Sequence, residues 1–363
     1  MSEPTRTLTA QCHCKAVHFS ITVPVSSLPL RTHLCQCFIC RRVHGTFACF
    51  HAPLPVPIEP VFIAPSSLQG TTTGYTHSTL AAATRYFCST CGCHIGDRDL
   101  DPVPDSSGQE PFREWRITTS IFPAEAQSTA FLITTHFYAH AEPGPTLATW
   151  LPRLEFSSSP PKEIKPITPA PNDPTFPIPR PPLPVPERHR DGHPRLRAEC
   201  HCGGVSFTIC RPDHPVLIPF GDLVSRFASK TDDKKWLATL DACDDCRLVT
   251  GAHVIGWTFV PSRAIEPRPV LPSFEGFGTM RTYSSSEGVT RGFCGVCGAT
   301  AVYFCEAADR VVGEGEGREW IVDVAVGLLR DPAGPAAEGW GGLREWGVQK
   351  DGEALDFEIP DDG

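Results

Sequence analysis

The sequence predicts a mainly β protein built as two tandem, loop-rich domains joined by a proline-rich linker. Three observations predict it. The same three cysteine clusters occur in the same order in each half of the 363 residues. The segments beside those clusters alternate apolar and polar residues, the period of a half-buried strand. Between the halves, residues 160–186 hold 12 prolines. The expected division is residues 1–156, a linker over 157–196, and residues 197–363.

The repeat is read from spacing. The first half carries Cys12-His13-Cys14, then Cys35, Cys37 and Cys40, then Cys88, Cys91 and Gly92. The second carries Cys200-His201-Cys202, then Asp241, Cys243 and Cys246, then Cys294, Cys297 and Gly298. Cys37, Cys40, Cys88 and Cys91 each lie 206 residues before their counterparts, whereas Cys12 lies 188 before Cys200. Arg41, Val43, Gly45, Arg85 and Phe87 keep the 206 offset with Arg247, Val249, Gly251, Arg291 and Phe293. So many residues in one register indicate an internal duplication. The second copy has additional residues between its first two clusters, expected near Phe227–Leu240.

The elements follow in order. Val17, Phe19, Ile21 and Val23 alternate with polar residues, as do Val205, Phe207 and Ile209, so a strand follows each Cys-His-Cys. Trp115–Phe122 and Trp320–Val326 are rich in β-branched and aromatic residues and are expected to be strands. Gly and Pro punctuate the chain too often for long helices. The proline run favours polyproline II and reads as a semi-rigid spacer.

Composition excludes some functions. A net charge of −9 argues against a nucleic-acid partner, which needs a basic surface. No apolar stretch is long enough to span a membrane, and the N-terminal residues lack the character of a signal peptide. The expected location is the cytoplasm. Thiols stay reduced there, so the 17 cysteines read as metal ligands before disulfides.

Four thiolates close a tetrahedral zinc shell. Cys12, Cys14, Cys88 and Cys91 form one such set; Cys200, Cys202, Cys294 and Cys297 form the other. A filled shell is structural. Cys35, Cys37 and Cys40 offer three corners and leave one open, the arrangement of a catalytic zinc suited to an incoming thiol; a second structural zinc completed by a remote side chain is the alternative. The nearby His33, His44 and His51 read as ordinary loop residues, and Cys49, Cys93, Cys210 and Cys305 as small core residues. His136 and His140 read as packed or solvated histidines, with a substrate contact as the alternative. Arg41 and Arg247 could grip a substrate carboxylate or pair with a local acid.

These motifs resemble the glutathione-dependent formaldehyde-activating enzyme family, also named for its centromere protein V relatives. The order Cys-His-Cys, Cys-x-Cys-x-x-Cys-Arg, Phe-Cys-x-x-Cys-Gly carries the likeness over both copies. The resemblance implies an Mss4-like β fold with two Zn2+ per domain, one structural and one catalytic at Cys35, Cys37 and Cys40. It implies carbon–sulfur lyase chemistry joining formaldehyde, an aldehyde, to the small thiol glutathione, as in S-(hydroxymethyl)glutathione synthase. The second copy departs from the pattern. Asp241 replaces a cysteine and hardens the site, so Asp241, Cys243 and Cys246 are expected to hold metal weakly or not at all. The competing reading is a non-catalytic zinc module for binding or scaffolding.

Overall fold

The computed structural model describes residues 3–78, 81–100, 113–139, 147–156, 159–167, 187–188, 191–229, 233–307, 311–312 and 318–330. Strands dominate them. The first half contains β1 (Thr5–Gln11), β2 (His18–Pro24), β3 (Leu30–Cys35), β4 (Cys49–Pro53), β5 (Val61–Phe62), β6 (Thr72–Tyr75), β7 (Ala83–Cys88), β8 (His94–Asp99), β9 (Trp115–Thr118) and β10 (Phe131–Phe137). Next come β11 (Arg153–Phe156), β12 (Ser159–Glu163), β13 (Lys165–Ile167) and β14 (Glu187–Arg188). The second half contains β15 (Pro194–Glu199), β16 (Ser206–Cys210), β17 (Ala238–Asp241), β18 (Ile255–Pro261), β19 (Ile265–Glu266), β20 (Met280–Ser286), β21 (Val289–Cys294), β22 (Thr300–Cys305), β23 (Val311–Val312), β24 (Glu319–Ala325) and β25 (Leu329–Arg330). The helices are short: α1 (Phe38–His44), α2 (Leu68–Thr71), α3 (Ala124–Ala130), α4 (Leu147–Trp150), α5 (Gly221–Phe227) and α6 (Asp244–Thr250).

The two halves use one strand order. The large sheet of the first half contains β3-β4-β9-β8-β7-β6, and that of the second runs β17-β18-β24-β22-β21-β20. A smaller sheet, β1-β2-β5, has its counterpart in β15-β16-β19. The alternation that predicted β2 is realised in burial: Phe19, Ile21 and Val23 are sealed inside, with half-exposed or exposed residues between them. Phe207 and Ile209 are sealed inside in β16, but Thr208 between them is buried as well.

Three expectations are modified. β9 ends at Thr118, short of the expected Phe122. The chain turns there because the Ser120 and Phe122 carbonyls accept hydrogen bonds from the Arg247 guanidinium of the other half. The additional residues of the second half begin earlier than Phe227, soon after Cys210. They form a 3-10 turn at Pro215–Phe220 and then α5, and they seat the buried Trp236, whose indole N–H donates to the Cys210 carbonyl at 2.7 Å. The proline-rich segment is also not a spacer throughout. β13 joins the first large sheet beside β10, in parallel, and β14 pairs with β15. Most of its prolines, in residues 168–186, lie outside the described residues.

The halves pack directly on one another. Leu34, Phe47 and Phe50 of the first share a buried cluster with Ala238, Ala252 and Val326 of the second. The contacts are reciprocal. His13 Nδ1 lies 2.8 Å from the Tyr283 hydroxyl, and His201 Nδ1 lies 2.8 Å from the Tyr75 hydroxyl. The His13 N–H donates to the Leu248 carbonyl, and the His201 N–H to the Arg42 carbonyl. A pair of matched patches is the contact pattern of a two-fold dimer, realised within a single chain.

Candidate metal centre

Each four-cysteine set is assembled from two turns. In the first half, β1 delivers Cys12 and Cys14, and the end of β7 delivers Cys88 and Cys91. All four sulfurs lie within 4.8 Å of one another, with Cys12–Cys14 and Cys14–Cys88 separations of 3.5 Å. A regular tetrahedron with Zn–S bonds of about 2.3 Å has edges of about 3.8 Å, so the donor set fits zinc. Backbone amides point at the sulfurs: the Val17 N–H donates to Cys12 Sγ at 3.4 Å. Cys200, Cys202, Cys294 and Cys297 repeat the arrangement, with 3.5 Å for Cys200–Cys202 and Cys202–Cys294, and with the Val205 and Gly204 amides donating. Gly92 and Gly298 both take φ of +81°, the left-handed turn that closes each Cys-x-x-Cys loop. Hydrogen bonds from Cys12 and Cys14 draw the Cys88 thiol far below its ordinary range, and Cys200 and Cys202 do the same to Cys294. The remaining sulfurs divide: Cys12, Cys91, Cys200 and Cys297 are pushed up by the same neighbours and by burial. All 17 cysteines are free of disulfides.

The middle cluster sits where β3 runs into α1. Cys35 ends the strand and Cys37 caps the helix, its sulfur accepting the Cys40 N–H at 3.4 Å. The three sulfurs lie within 4.8 Å of one another. Cys37 and Cys40 are buried, and Cys35 is half-buried. Arg85 on β7 aims its guanidinium at Cys40, with Nη2 4.0 Å from the sulfur. Hydrogen bonds from Cys35, Cys37 and Cys49, together with Arg85, hold the Cys40 thiol well below its usual range against the opposing effect of burial. Phe38, Tyr75 and His77 surround His201 of the other half: Phe38 stacks on its ring at 6.2 Å, and His77 meets it edge-on at 5.7 Å.

The counterpart in the second half is gathered but differently employed. Asp241, Cys243 and Cys246 place their donor atoms within 4.8 Å. The Asp241 carboxylate accepts the Cys243 N–H at 2.8 Å and the Cys246 thiol at 3.2 Å. Arg291 Nη1 lies 3.3 Å from Cys246 Sγ, as Arg85 faces Cys40. Arg247 bonds Asp244 at 2.9 Å and the carbonyls of the other half, so its fork is spent on structure.

Sequence reasoning missed several residues here. His33 and His51 are not loop residues; they face each other across β3 and β4. Cys49 pairs with Cys35 in the same ladder, and its sulfur reaches those of Cys35 and Cys40. The signal available was the i, i+2 spacing of Cys49 and His51 in a strand, which sets both on one face. His136 is packed as expected: it is fully buried, held by Gln36 and by the Leu151 carbonyl. His140 lies outside the described residues.

Fold and site together define a mainly β protein whose thiolate clusters can hold metal ions. Residues 7–106 match the family described as "Glutathione-dependent formaldehyde-activating enzyme". Cys12, Cys14, Cys35, Cys37, Cys40, Cys88 and Cys91 all fall within the matched residues, and the second half lies outside them. No curated protein matches the chain. Among the described residues, no helix is long and apolar enough to cross a membrane.

Proposed function

We propose that the chain is a zinc-dependent enzyme of the carbon–sulfur lyase type, combining glutathione and formaldehyde at Cys35, Cys37 and Cys40, and that each half is a domain with its own structural four-cysteine zinc. The observation that carries this reading is a three-thiolate cluster lying inside the matched residues and facing the half-buried Arg85 guanidinium. A zinc held there would acidify a bound thiol and hold it as thiolate. The chain's own groups do the rest. Arg85 offsets the negative charge of the cysteines. Phe38 with Tyr75, His77 and His201 walls the cluster, so the second half completes the site even though it lacks a matching cluster. In the reaction, a bond forms between the thiol sulfur and the aldehyde carbon while the thiol proton ends on the aldehyde oxygen. In a reducing cytoplasm both reactants and all the thiolates persist.

Exchange NMR on formaldehyde and glutathione tests the reading. Zinc-loaded protein is expected to accelerate the exchange, and Cys37→Ser to abolish the acceleration. No acceleration, together with no effect of glutathione on the metal site, would sink it. A non-catalytic binding role is favoured for the second half alone, where Asp241 spends both oxygens on Cys243 and Cys246.

A further inference from the structure

We propose a second metal position in the first half, formed by His44, Cys49 and His51 and adjoining the three-cysteine cluster, whose Cys35 and Cys40 sulfurs Cys49 also reaches. Nothing in the repeat or in the paired cysteine motifs requires it, and it does not depend on any lyase activity.

The backbone brings the three together. His44 is the last residue of α1, and Gly45, with φ of +73°, turns the chain back so that β4 passes beneath the helix end. Cys49 and His51 project from one face of β4. One donor atom from each of the three lies within 4.8 Å of the other two. All three side chains are sealed: His44 and His51 are 1% exposed, and Cys49 is 2%.

The polar atoms there have no partner. Among the described residues, neither ring nitrogen of His44 is hydrogen-bonded, nor is Nε2 of His51. A buried polar atom left without a partner is costly and rare, so three in one place call for a ligand. The second nitrogen of His51 is engaged in the manner of a metal-binding histidine: Nδ1 lies 2.9 Å from Asp97 Oδ2, while Arg116 Nε holds the other carboxylate oxygen at 2.5 Å. That bond places the ring proton on Nδ1 and leaves the Nε2 lone pair for a metal. His94 stacks on His44 at 3.9 Å and fixes its ring plane.

The second half supplies the control. At the same 206 offset it carries Thr250, Ile255 and Trp257, and Tyr303 in place of Asp97. Thr250, Ile255 and Trp257 are as buried as their counterparts, and Trp257 packs against Tyr303 at 6.2 Å. The frame is therefore satisfied without an imidazole or a thiol at these positions: the Thr250 hydroxyl accepts the Ala252 N–H at 3.2 Å. The first half keeps two imidazoles and a thiol where the fold does not need them. Two nitrogens and one sulfur suit a borderline ion such as zinc or cobalt(II), not magnesium or calcium.

The test uses the full chain with Cys35, Cys37 and Cys40 all changed to Ser, loaded with cobalt(II) and dialysed. Adding His44→Asn and His51→Asn is expected to remove one further equivalent of cobalt and its mixed nitrogen–sulfur absorption. An unchanged equivalent count would overturn the proposal. Cadmium-113 NMR of the unaltered chain guards against a misfolded variant. A resonance upfield of the all-thiolate signals, in the range of mixed nitrogen and sulfur ligands, is expected; its absence from the cadmium-loaded chain would overturn the proposal equally.

Discussion

Asp241 and Cys35 occupy the same point of the repeat and show how much a single side chain decides. Cys35 would add a third soft ligand to Cys37 and Cys40, whereas Asp241 would add a hard one, already engaged with Cys243 and Cys246. Asp241→Cys is therefore expected to raise the zinc affinity of the second half by about tenfold or more, read by competition with a chromophoric chelator. Cys37→Ser is expected to lower the zinc content of the full chain by one equivalent, read by atomic emission, with both four-cysteine sites retained. The cysteine motifs were legible in the sequence because ligand spacing is local. The roles of His13 and His201 were not, because their partners, Tyr283 and Tyr75, lie in the opposite half. The same reason hid Arg85: nothing in its neighbourhood along the chain points to Cys40, and only the pairing of sheet strands brings the two within 4.0 Å.

At the level of elements, α1 and α6 are the pieces the repeat preserves best. Each is capped by a cysteine sulfur and ended by a glycine in the left-handed region, Gly45 at +73° and Gly251 at +74°. Those glycines also allow close approach. A Cβ on Gly45 would lie 2.0 Å from the Thr300 carbonyl oxygen, and one on Gly251 2.2 Å from that of His94. Gly45→Ala thus meets both backbone strain and a backbone clash, and is expected to cost at least about 2 kcal/mol in urea unfolding. β24 carries a second vulnerable point. Glu319 is fully buried and accepts from the Ser262 hydroxyl and the Arg263 amide, each at 2.6 Å, and from the Arg263 and Arg268 guanidinium groups at 3.2 Å. Removing the carboxylate with Glu319→Ala strands these donors and is expected to destabilise the chain by about 3 kcal/mol, read by the same unfolding measurement. The strands themselves were legible from period-two alternation. The early end of β9 was not, since Arg247 of the other half imposes it. The position of the additional residues after Cys210 was also hidden, because a buried Trp236 rather than a polar loop anchors them.

Across the whole molecule, the join between halves carries a titrating group. His253 Nε2 lies 2.9 Å from the Thr119 hydroxyl, and its ring meets Phe50 edge-on at 5.1 Å. Burial, helped by Arg247, pushes its pKa down to about 4. An ordinary histidine titrates near 6.5, so the unfolded chain takes up the proton first as pH falls. The stability His253 supports is complete above about pH 6.5 and is lost progressively toward pH 4, with a slope of up to about 1.4 kcal/mol per pH unit. His253→Gln is expected to flatten that slope, read from urea midpoints between pH 7 and pH 4.5; an unchanged slope would assign the acid sensitivity elsewhere. The duplication could be read from the sequence, but the packing of the halves could not. The residues that make it are ordinary apolar side chains with no periodic signature of their own.

The crossed pairs His13–Tyr283 and His201–Tyr75 have a thermodynamic consequence. Each histidine sits between two cysteines of a four-cysteine loop, and each tyrosine belongs to the half that does not own that loop. An ion entering one loop would therefore set the geometry of a clasp on the other half, and the closed clasp would hold the strand paired with the one that ends in the other loop's last cysteine pair. If both sets take up zinc, the uptake is expected to be cooperative: the second equivalent would bind more tightly than the first, and by reciprocity the loss of either ion would loosen the other. Tyr75→Phe with Tyr283→Phe would turn a steep, single-step zinc titration into two independent ones.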